Sequence, residues 1–197
     1  MKSRVKIGAG LAAAIAASQV ITPSASGYVL QGSTCRYDPV NDDDGLGIGF
    51  SSTNYNQSRR DSTVDAAGRW NAAVAPQFTV VGYGSSTRDL RVTFARLGAG
   101  GVVAQVTTSC GTNSNHYTQD PLFQWNLDVA QPTVGLQTVT AIHELGHSYG
   151  LAHNQVGGCD LKTAGLMFTP SAQKSQECNW VYPTIDDING QVDAHNG

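Results

Sequence analysis

The eleven residues HELGHSYGLAH, 143–153, hold three of the chain's five histidines and one of its two glutamates. His143 and His147 are four apart, so on a helix they project from one face, one turn from each other. Two imidazoles at that spacing can share one metal ion, and Glu144 beside the first can reach a water held there. Gly150 can take the left-handed backbone that ends a helix. His153 could then return as a third nitrogen ligand. Three neutral imidazoles leave a tetrahedral position open for water, the layout of a zinc site that does chemistry rather than one that only braces a fold. In such a site Glu144 takes a proton from the water as general base and returns it to the leaving group as general acid. The bland alternative is a helix with incidental, solvated histidines. It must explain why residues this scarce in the chain fall together in ligand order.

Those side chains need a helix beneath them, and the sequence offers one over 134–150. An earlier helix is expected in RDSTVDAAGRWNAAV (60–74), with Val64, Ala67, Trp70 or Asn71, and Val74 at roughly helical spacing and Asp61 or Ser62 as its cap. A last helix is expected over Ile185–Ala194, with Ile185, Ile188 and Val192 on one face. LGIGF (46–50), FTVVGY (78–83), LRVTFA (90–95), VVAQVTT (102–108) and LFQWNLDVA (122–130) read as strands separated by Gly-rich and polar turns. Strands interleaved with a few helices fit an α/β (α+β) domain with one mixed layer pair, not a sandwich.

The 197 residues suffice for one domain with a real core. Lys2, Arg4 and Lys6 precede the apolar run IGAGLAAAIAA, and the chain then turns polar through TPSASG. This is the pattern of an export signal, residues 1–26, ahead of a domain over 27–197. Eleven apolar residues are too few for a bilayer core that needs ~20 helical residues. Without the three basic residues of the signal, nine Lys and Arg face fifteen Asp and Glu, a net charge of −6. That balance argues against nucleic acid or an anionic membrane as partner. Cys35, Cys110, Cys159 and Cys178 all follow the signal, and an even count in an exported chain reads as two disulfides with three connectivities. The acidic run NDDDG (41–45) could contribute oxygens to Ca2+, and a solvated turn explains it equally well.

HELGHSYGLAH resembles the zinc-binding signature of the metzincin metallopeptidases. The resemblance implies one catalytic zinc on His143, His147 and His153, with Glu144 as the base. It also implies a twisted mixed sheet of about five strands with about three helices, and a methionine turn beneath the metal. Met167 in GLMFTP (165–170) is the candidate, as an apolar floor and not a ligand. Within the clan, LQTVTAIHELGHSYGLAH, LMFTP and PTIDDINGQ are most similar to the matrixin active-site helix, Met-turn and closing helix. Astacins and serralysins place a tyrosine ligand two residues after the methionine. Thr169 stands there, so no fourth protein ligand is implied. Only His116 and His195 remain for the second, structural zinc of matrixins, which needs three histidines and an aspartate. Cys159 and Cys178 flank the turn. A bridge between them closes a loop of about 20 residues, worth roughly 3 kcal/mol in the chain-entropy model, and Cys35–Cys110 follows by elimination.

The function that follows is a secreted zinc endopeptidase acting on protein or peptide as a monomer. The rival is a secreted binding protein with a vestigial site, which need not keep Glu144. An extended substrate is best held by adding a strand to a sheet edge, and 102–108 is the candidate edge. Pro170–Ala172 and Trp180–Tyr182 are expected as the opposite wall. A largely apolar pocket beside His143 would then select a hydrophobic or aromatic residue just after the cut.

Overall fold

LRVTFA forms the central strand, on which Leu90, Val92 and Phe94 point into the core and their neighbours do not. The computed structural model describes residues 29–30, 45–73, 77–100, 102–109, 117, 119–131, 133–162, 164–168 and 171–196. The expectations that fall on the signal segment 1–26, on Cys35, Cys110, His116, Thr169 and Pro170, and on Asn41–Asp44 for calcium lie outside these residues.

In chain order the elements are β1 (Val29–Leu30), β2 (Leu46–Phe50), α1 (Gln57–Asn71), β3 (Phe78–Val81), β4 (Leu90–Ala95), β5 (Ala104–Thr107), β6 (Leu122–Asn126), α2 (Val134–Ser148), β7 (Leu151–Ala152), α3 (Ser171–Cys178) and α4 (Ile185–Asn196). Five strands form one mixed sheet in the order β3-β2-β4-β6-β5. β2, β3, β4 and β6 pair in parallel, and β5 runs antiparallel to β6 at the edge. The short β1 pairs with β7. Helices α1 and α2 pack on each other, and the core between them and the sheet holds Trp70, Trp125, Phe123, Leu90, Ile142 and Leu145. Two buried indoles cross the layers with satisfied N–H groups. Trp125 Nε1 donates to Thr63 Oγ1 at 3.0 Å, and Trp70 Nε1 donates to the Ile142 carbonyl at 3.0 Å.

The structure corrects the sequence reading at three helices. α1 starts at Gln57, and its cap is Asn56, whose side chain accepts from the Arg59 N–H at 3.1 Å, not Asp61 or Ser62. Its buried face runs through Arg59, Ser62, Thr63, Ala66, Ala67 and Trp70, and Val64 is only half-buried. Small hydroxyl groups fit there because they are bonded: Thr63 also donates to the Arg59 carbonyl at 2.8 Å. A fourth helix, α3, was not expected, since SAQKSQEC has no apolar periodicity. On α4 the expected apolar face is turned outward: Ile185 is 46% and Val192 40% exposed, while Asp186 and Asp187 are buried.

Candidate active site

Thr133 caps α2, its hydroxyl accepting from the Leu136 N–H at 3.2 Å, and every residue of the helix from Thr138 to Ser148 is buried. The helix ends at Tyr149, and Gly150 has φ +99°, the left-handed step that reverses the chain. The reversal brings His153 back, so that ligand nitrogens of His143, His147 and His153 all lie within 4.8 Å of one another. His147 Nε2 is 3.1 Å from His153 Nε2.

Neighbouring carbonyls fix how two of these rings present themselves. His143 Nδ1 lies 2.6 Å from the Leu166 carbonyl, and His147 Nδ1 lies 2.6 Å from the Leu151 carbonyl. A carbonyl can only accept, so both Nδ1 atoms carry the proton and each Nε2 is left as the acceptor nitrogen. Burial lowers the pKa of His143 to about 3 and that of His147 to about 4, with the other histidines adding to the effect. His153 is also lowered by burial. The donor set is thus three neutral imidazoles with convergent lone pairs, which suits Zn2+.

Glu144 sits on the cleft side of the helix. Its carboxylate accepts from the backbone N–H of Val106 on β5, while Oε2 is buried with no partner. Burial lifts its pKa to about 8, against the pull of that one hydrogen bond. A cation on the three imidazoles would favour the ionised form.

Met167 is buried directly under the helix. A Cβ at Gly146, between the two helical histidines, would overlap the Met167 sulfur. The methionine is therefore a packed floor, and any side chain at Gly146 would have to displace it. What holds the turn is Asp187. Its carboxylate accepts from the N–H groups of Leu166 (2.9 Å), Met167 (3.2 Å) and Thr184 (2.8 Å) and from the Thr184 hydroxyl (3.0 Å). Burial raises its pKa, and these donors oppose the rise. Every partner faces it as a donor, so the ionised form fits the geometry. The neighbouring Asp186 accepts from Asn154 Nδ2 at 2.7 Å, and the Asn154 N–H donates to the Met167 carbonyl at 3.0 Å. The acidic pair thus ties the turn, and the residue after His153, to α4. Sequence reasoning noted the Asp-Asp-Ile string only as a likeness and gave these residues no role. Their signal was two adjacent acids in a first turn, a pattern that ordinarily means a solvated cap.

A cleft of about 400 Å³ runs over the histidines. One wall is β5 with Val102 and Val103; the other is Ser171 and Ala172 at the start of α3. The expected edge strand is in place. Val103 O accepts from the Asn126 N–H at 2.9 Å, so in the antiparallel ladder Ala104 and Val106 turn their backbone groups to the cleft. Trp180–Tyr182 do not line it. Arg69 of α1 stacks 4.7 Å over Tyr182 and bonds the Val181 carbonyl, which holds that segment away. Cys159 and Cys178 are bonded to each other, tying the loop after His153 to α3.

A mixed sheet with an antiparallel edge strand, a helix bearing HExxH, a glycine reversal to a third histidine and a methionine turn beneath it define a metzincin-type zincin fold. The family model described as "Metallo-peptidase family M12B Reprolysin-like" matches residues 40–154, and the chain belongs to that family. The solved "Structure of myroilysin" aligns with 63% of this chain and 54% of its own at 22% identity, with a TM-score of 0.41. The chain thus spans about half the length of that protein. No curated protein matches the sequence.

Proposed function

We propose that the protein is an exported zinc-dependent endopeptidase, with His143, His147 and His153 holding the metal and Glu144 as general base. One observation carries the reading: ligand nitrogens of three neutral imidazoles converge in the same cleft as Glu144, whose buried Oε2 has no hydrogen-bond partner. Zinc, when bound there, supplies a Lewis acid that polarises a scissile carbonyl and makes a nearby water more acidic. The chain's own residues do the rest. Glu144 Oε2 accepts the water's proton and delivers it to the departing amine. The edge of β5 pairs with an extended peptide backbone through Ala104 and the Val106 carbonyl, and the walls of the cleft hold its side chains.

Export is supported by the charged, then apolar, then small-residue N-terminus. A finer likeness to matrixins is supported by LMFTP and by the Asp-Asp-Ile start of α4. The test is digestion of a random peptide mixture by the zinc-loaded protein, with and without chelator, alongside Glu144→Gln. Chelator should abolish cutting. The variant should keep its zinc and lose roughly 10²–10⁴-fold in rate, the usual contribution of a general base. Cutting by the variant near the wild-type rate would remove Glu144 from the role, and no chelator-sensitive cutting by the wild type would remove the peptidase reading.

A further inference from the structure

We infer that Gln131 is a specificity-determining residue that, with Thr140, selects a neutral hydrogen-bonding side chain, a carboxamide or hydroxyl, on the substrate residue following the cut. The inference rests on the peptidase reading above and narrows it to a substrate class. Gln131 lies between β6 and α2, before the cap Thr133, and its side chain folds back along the helix. Its Nε2 donates to Thr140 Oγ1 at 2.7 Å. Thr140 is three residues before His143, so it shares the helix face that carries the histidines. Both residues line the cleft. They form a polar patch at the His143 end of a cleft whose β5 wall is mostly apolar.

Gln131 Oε1 is buried and has no hydrogen-bond partner, although the other end of the same carboxamide is firmly bonded. A buried acceptor left this way is unfavourable, and it is relieved by an occupant that brings a donor. The two ends of a glutamine carboxamide can also exchange places. In the exchanged orientation the orphan atom is a donor. A substrate carboxamide or hydroxyl donates and accepts, so it satisfies either orientation. An aliphatic side chain seals the patch with the orphan unmet. A carboxylate there would meet Glu144 as a like charge, and an ammonium would find only the carboxylate needed for proton transfer. Val103 and Ala104 remain suited to the methylene stem of such a residue. The inference thus differs from the hydrophobic or aromatic preference expected from the sequence at this position.

The experiment is cut-site profiling of the zinc-loaded protein and of Gln131→Leu on one peptide library. Wild type should enrich Gln, Asn, Ser or Thr directly after the cut over Leu and Phe. Gln131→Leu should lose that preference by roughly 5–10-fold, the worth of one neutral hydrogen bond, while cutting peptides with Leu there at least as well as wild type. A wild-type preference for Leu or Phe, or an unchanged profile in the variant, would overturn the inference. Binding of two peptides differing only as Gln or Leu at this position to zinc-loaded Glu144→Gln protein supplies a readout that needs no turnover. Tighter binding of the Gln peptide that is lost in the Glu144→Gln/Gln131→Leu double variant supports the subsite. Equal binding sinks it. Failure of cutting by the wild type counts only against the peptidase reading.

Discussion

At the scale of single residues, the site depends on pairs in which one group fixes what another presents. His153 has no helix of its own and is placed by the reversal at Gly150 and by Asn154 beside it. Two imidazoles on one helix should bind weakly without it, so His153→Ala should carry little zinc by elemental analysis. Full occupancy in that variant would contradict the three-histidine site. Asp187 touches no ligand, yet it holds the Leu166 N–H while the Leu166 carbonyl orients His143. Asp187→Asn puts an amide donor among N–H groups that all need an acceptor. We expect a loss of about 2–4 kcal/mol in stability by denaturant titration. Zinc affinity should fall about 10–100-fold by competition with a chelator, as is usual when a ligand loses its support. Unchanged zinc affinity in a folded variant would show that the turn does not orient His143.

At the scale of elements, α2 rests on the methionine side chain at close range. Gly146→Ala should destabilise the protein by about 1–3 kcal/mol, because the new methyl group meets the Met167 sulfur. Met167→Ala alone leaves a cavity and is also destabilising, by about 2–5 kcal/mol. If the two groups clash as described, the double variant should be more stable than the sum of the single effects predicts. Strict additivity in denaturation would mean that the helix does not rest on the methionine. α3 shows the opposite kind of element. It is eight residues long and polar, so it has little helical stability of its own. It is held by the bridge from Cys178 to Cys159 and by buried Lys174, which donates to the Gly158 carbonyl and lies 4.8 Å from the Phe168 ring.

For the whole molecule, the buried histidines couple folding to pH when no metal is bound. His143 and His147 stay neutral in the folded chain down to about pH 3 and 4. In the unfolded chain they take up protons below about pH 6.5. Across that window these two rings bind more protons in the unfolded state, so their contribution to stability falls as pH drops from 6.5 towards 4 and is intact above 6.5; Glu144, with its raised pKa, opposes the two rings as a single group. The melting temperature of chelator-treated protein should therefore decline over this range. The decline should be shallower in a His143→Asn/His147→Asn variant, and an equal slope in both proteins would assign the effect to other groups.

The metal-binding string, the helix beneath it, the edge strand and the Cys159–Cys178 pairing were legible in the sequence, because each depends on near neighbours or on fixed chemical spacing. His143 and His147 are set one turn apart by helix geometry alone, and Gly150 marks the reversal by its own freedom at positive φ. Other features only the tertiary structure decided. Ile185 and Val192 looked like a core face and are exposed, whereas Asp186 and Asp187 are buried. The reason is that, Thr184 apart, their donors Asn154, Leu166 and Met167 lie 20 to 32 residues away in sequence. An acid can be buried only where such partners converge, and no local pattern reports that convergence. Gln131 was equally silent, since its meaning comes from a fold-back onto Thr140 that brings a carboxamide to the end of the cleft. Periodicity tells which side of a helix is apolar; which side is covered depends on what the rest of the chain brings to it.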